Sequence, residues 1–153
     1  MALILLPLVL SLVAWLLPSA QTRLFGLIAS ALSLAWSIVA VCYFKPTDHL
    51  LVDFGLRFIR FSIDSLGFTM ILLTNAVFFL VFLSQFTSNI TQEKRFTALA
   101  LLMQFGLVGV FTTNTILGFY IFWELTLLPI FLILYWFGSF EKPRALLQFF
   151  LYT

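Results

Sequence analysis

Ile116–Phe137 reads ILGFYIFWELTLLPIFLILYWF, and its reading decides the fold. The run holds a single charge, Glu124. Wound as a helix at 1.5 Å per residue it is about 33 Å long, enough to cross the hydrocarbon core of a bilayer. Glu124 then sits about 12 Å in from one end. A carboxylate at that depth costs roughly 2.5–3.5 kcal/mol on insertion scales. It must be protonated, paired, or in touch with internal water.

Outward from this run, the composition agrees with a membrane chain. Hydrophobic residues make up 63% of the sequence and charged residues 9%, against about 25% charged in a soluble domain. Such a chain cannot cover a water-facing surface, so the expected fold is an all-α, multi-pass transmembrane bundle. A net charge of +2 without a basic run gives no reason to expect nucleic acid as a partner. Cys42 is the one cysteine. It excludes an internal disulfide and a Cys-based cluster site, and its apolar segment predicts a small buried hydrophobe. His49 is the one histidine, in a polar stretch with no acids at ligand spacing, so no metal site is expected.

Apolar runs and breakers divide the chain. Full helices are expected at about 2–17, 24–44, 65–86, 96–113 and 116–137, and the start of a sixth at 145–153. The first block lacks the positive n-region of a signal peptide and reads as a retained helix. Arg23 marks the first loop, and Glu93-Lys94-Arg95 marks another. Between the second and third helices, residues 57–64 alternate with period two, and Gly55 precedes them as a turn, which predicts a short external hairpin. Asp64 stands just before an apolar run and is placed to cap the third helix. An N-terminus outside puts Arg23, Lys94, Arg95, Lys142 and Arg144 inside and Lys45, Arg57 and Arg60 outside, a modest positive-inside bias.

Around Glu124, the helical neighbours Tyr120, Ile121, Leu127 and Leu128 carry no cation. A counter-ion has to come from another helix. Pro129 cannot donate to the Leu125 carbonyl, one residue from Glu124. The loosened turn is read equally as a simple kink or as a place for water beside the acid. Glu124 itself is read as a proton site, against an interhelical hydrogen bond.

Phe122-Trp123-Glu124-Leu125-Thr126-Leu127-Leu128-Pro129 resembles the fifth-helix signature of the proton-pumping, antiporter-like subunit M of NADH:quinone oxidoreductase (respiratory complex I; subunit 4 in mitochondria). Ile63-Asp64-Ser65-Leu66-Gly67 is similar to that family's opening of helix 3. Gln148-Phe149-Phe150-Leu151-Tyr152-Thr153 is similar to its opening of helix 6, with Gln148 where the family usually has Lys.

The resemblance implies a many-helix subunit of which residues 1–153 form about the N-terminal third. It implies that Glu124 pairs with a Lys on a later helix and translocates protons while NADH reduces quinone. The subunit itself would bind no cofactor; NADH, FMN, iron–sulfur clusters and quinone act elsewhere in the complex. Its partners would be other membrane subunits, including sibling antiporter-like ones, and the lipid bilayer. The membrane would be a bacterial cell membrane or the mitochondrial inner membrane. Two rival readings share the acid or dispense with it: a Mrp-type cation/proton antiporter or hydrogenase membrane subunit, and a truncated scaffold without transport.

Overall fold

The computed structural model describes residues 2–43, 52–53, 60–87, 92–137 and 152. Five helices are formed: α1 (Ala2–Leu16), α2 (Ser19–Tyr43), α3 (Ser65–Gln85), α4 (Glu93–Thr112) and α5 (Ile116–Phe137). Two short strands, β1 (Val52–Asp53) and β2 (Arg60–Phe61), pair antiparallel between α2 and α3. Four helices are long and apolar enough to cross a membrane, from α2 to α5. The five expected helices are all present; α1 is apolar and has 15 described residues. Apart from Tyr152, the expected sixth helix lies outside the described residues, as do His49 and the Gly55 turn.

Ion pairs and strand contacts fix which ends lie together. Arg23 in the first turns of α2 pairs with Glu93 at the start of α4. Arg95 lies 4.9 Å over the Trp136 ring near the end of α5, a cation–π contact of an interfacial kind. At the opposite end, β2 bridges from Phe61 to Thr113 just past α4, and the Ser62 amide donates to the Thr112 carbonyl at 2.9 Å. Successive helices therefore alternate in direction. The expectation that Arg23 and Glu93–Arg95 lie in loops is overturned, since both are helical. Charges here mark the surface end of a helix, where long side chains reach water while the backbone stays wound.

Helix starts follow from side-chain caps. Asp64 is extended (φ −99°, ψ 177°) and accepts from the Gly67 amide at 2.7 Å, as expected for a capping residue. Thr115 does the same for α5, its Oγ1 accepting from the Gly118 amide at 3.2 Å. Replacing Asp64 by Ala is expected to cost about 1 kcal/mol and to speed amide exchange at Gly67, whereas Asn or Ser keeps most of the protection. Unchanged exchange at Gly67 in the Ala variant would contradict the cap.

α4 is the axis of the bundle and packs against each of the other four helices. One apolar cluster joins Phe61, Ile71, Phe105, Val108, Val110 and Phe122, and a second joins Ala14, Ala29, Phe78, Phe82, Ala98, Ala100 and Leu101. Lipid is as apolar as these side chains, so close packing and interhelical hydrogen bonds hold such helices together. Ser11 Oγ donates to the Ala98 carbonyl at 3.0 Å, linking α1 to α4. Gln85 Nε2 donates to Thr97 Oγ1 at 3.2 Å, linking α3 to α4.

Candidate functional site

The position of Glu124 is set by how α5 sits on α4. Gly118, Phe122, Thr126 and Pro129 are the buried residues of α5, spaced by four, four and three, which is one helical stripe. Two glycines on α4 receive it. A Cβ on Gly106 would come within 2.7 Å of Thr126 Cγ2, and one on Gly109 would overlap the Phe122 ring. The absence of side chains at these two places lets the helices approach closely, as small residues do in lipid. The seated Phe122 ring is then held edge-on by Phe61 and Phe105, with centroids 5.9 and 5.7 Å away.

Two residues past Phe122, a helix has turned about 200°. Glu124 therefore points away from α4 and is exposed on the bundle's outer side. That face also carries Tyr120, Trp123 and Leu128, all exposed. Tyr120 stands one turn nearer the start of α5, on the same face as Glu124. Phe119 stacks on Trp123 with centroids 6.0 Å apart. Among the described side chains no basic group pairs with Glu124. Arg23 and Arg95 lie at the other end of the helix, where Glu93 and Trp136 engage them. Trp136 is twelve residues beyond Glu124, about 18 Å along the axis.

The other residues singled out in the sequence fall elsewhere. Asp64 is occupied as a cap at the hairpin end of the bundle. Pro129 is fully buried, and α5 continues unbroken through it to Phe137. Its ring faces the interior rather than the face of Glu124. Cys42, expected to be buried, is exposed in the last turn of α2; an apolar segment in a membrane chain includes the lipid-facing surface, so apolarity does not imply burial. No group of three or more His, Cys, Asp or Glu side chains able to hold a metal occurs among the described residues.

Sequence reasoning passed over a second polar feature. Asn75 and Gln104 are 1% and 0% exposed, in the middle of mostly apolar helices. Gln104 Nε2 donates to Asn75 Oδ1 at 2.7 Å, and Asn75 Nδ2 donates to the Ser33 carbonyl at 3.3 Å. The signal was available, since a lone amide at mid-helix in an apolar span needs a partner.

No model of a known protein family matches the chain. Individual proteins do. It is 31% identical over 160 residues to the F(420)H(2) dehydrogenase subunit M of Methanosarcina mazei, covering 99% of this chain and 32% of that protein. It is 35% identical over 132 residues to the chloroplastic NAD(P)H-quinone oxidoreductase chain 4 of Arabidopsis thaliana, covering 80% and 26%. It is 33% identical over 150 residues to the NADH-ubiquinone oxidoreductase chain 4 of Chondrus crispus, covering 90% and 30%. The matched part of the chain thus spans between about a quarter and a third of the length of these relatives. Its fold matches a chain of the membrane-bound sulfane sulfur reductase, an archaeal respiratory membrane complex, with a TM-score of 0.84 at 21% identity, over 98% of this chain and 33% of that one.

Proposed function

The chain is a relative of the antiporter-like membrane subunits, chain 4 or subunit M, of respiratory membrane complexes along nearly its whole length, and from that footing we propose that the protein it belongs to moves protons across a membrane, with Glu124 as a proton-carrying group. The observation that carries this reading is the placement of Glu124. The bundle could have buried its one membrane-depth acid against α4. Instead the glycine seats at Gly106 and Gly109 turn it outward, where another helix can approach. An acid held on that face is charged when a cation stands beside it and neutral when the cation withdraws. Alternation between the two states takes up and releases one proton. Tyr120, one turn away on the same face, carries a hydroxyl that can donate there.

The relatives named above differ in the electron donor that their names carry, F(420)H(2), NAD(P)H or NADH. A membrane subunit common to them is suited to moving ions rather than to choosing the donor. We assign this chain no cofactor of its own. Its partners in this reading are the neighbouring membrane subunits, with the redox groups elsewhere and the N-terminus outside. The Mrp-type antiporter reading uses the same acid and is separated by assembly. Solubilised from its native membrane, the full-length protein should migrate on a native gel in a complex with quinone reductase activity. Migration with small antiporter subunits, free of that activity, would contradict the complex I assignment.

A further inference from the structure

We propose that the middle of the bundle holds one internal water molecule, bound between the side-chain carbonyl oxygens of Gln104 and Asn75. Asn75 is the central residue of α3, and Gln104 lies near the middle of α4. Both are buried. The orientation of the two amides is dictated by Ser33. Its backbone carbonyl can only accept, so Asn75 must turn Nδ2 toward it and Oδ1 away. Gln104 must then offer Nε2 to that Oδ1. Flipping either amide alone sets two acceptors face to face, and flipping both sets Asn75 Oδ1 against the Ser33 carbonyl. Gln104 Oε1 is left as the end of the chain. It is buried and meets no hydrogen-bond donor among the described residues.

A bare amide oxygen at this depth is costly, and a water is the ordinary remedy where two acceptors lie within its span. That condition is met. Gln104 Nε2 is 2.7 Å from Asn75 Oδ1, and the two heteroatoms of one amide are about 2.3 Å apart by its bond lengths. Gln104 Oε1 therefore lies no more than about 5 Å from Asn75 Oδ1. A water donating to both at about 2.8 Å bridges up to about 5.6 Å. Asn75 Oδ1 has a second lone pair free for it. The site lies apart from Glu124. Gln104 precedes Gly106 by two residues, so it points about 200° away from the surface that receives α5, toward α3.

The test is a map of the full-length protein in its native assembly, at a resolution that shows ordered waters. The expected result is one density peak within about 3 Å of both oxygens, lost in Gln104→Met while the Asn75–Ser33 bond stays. An empty position, or a side chain from elsewhere in the assembly donating to Gln104 Oε1, overturns the proposal. Should the Met variant fail to assemble, the wild-type map decides alone.

Discussion

Glu124→Gln in the full-length protein is expected to abolish proton translocation while leaving the fold and the assembly intact. The substitution keeps the shape and a hydrogen-bond acceptor, but removes the group that can gain and lose a proton. Among the described residues no side-chain hydrogen bond or ion pair to α4 is lost, because Glu124 is exposed on the face turned away from that helix. A structural acid would behave in the opposite way. Its loss would lower stability and leave transport in proportion to the protein that survives. Glu124→Asp separates the roles further: it retains a titratable carboxyl on a shorter stem and should retain a measurable part of the translocation that Gln removes. The readout is acidification driven by turnover in sealed vesicles, normalised to the amount of assembled protein.

Gly109→Val should act the other way, by undoing the bundle rather than by removing a proton-carrying group. Even a Cβ at position 109 overlaps the Phe122 ring. The ring cannot retreat, since Phe61 and Phe105 hold its sides. Overpacking of a well-filled core costs typically 1–3 kcal/mol, and here the relief available is displacement of α5 itself. The expected outcome is loss of most of the assembled protein from the membrane. Gly106→Ala should be milder, because its obstacle is the methyl of Thr126 at 2.7 Å. That methyl gives way only if the bond from Thr126 Oγ1 to the Trp123 carbonyl is also moved. Pairing Gly109→Ala with Phe122→Leu should recover part of the lost assembly, since the two changes share one contact. No recovery would mean that Gly109 acts through something other than the seat for Phe122.

Much of this arrangement was legible in the sequence, and the parts that were not share a physical cause. The span of α5 was read correctly because a long apolar run with a polar turn before it admits little else. The cap at Asp64 was readable from a carboxylate followed by an apolar run. Period two around Arg60 and Phe61 located a strand. The start of α4 was missed because Glu93, Lys94 and Arg95 look like a loop, yet the membrane surface supplies water to charges on a wound backbone. The direction in which Glu124 points was hidden for a deeper reason. α5 is apolar nearly all round, so no stripe of polarity shows which side is buried. The answer lies on α4, in the pair Gly106 and Gly109, and only packing connects them to Phe122 and Thr126. The amides Asn75 and Gln104 were passed over because neutral groups do not raise the alarm that a charge does.

The account rests on Glu124 changing its protonation during turnover, and infrared difference spectroscopy of the native assembly reads that directly. Spectra taken between resting and turning-over states should contain a carboxyl band that shifts in heavy water and is absent from Glu124→Gln. A difference spectrum in which that variant matches the wild type across the carboxyl region would contradict it.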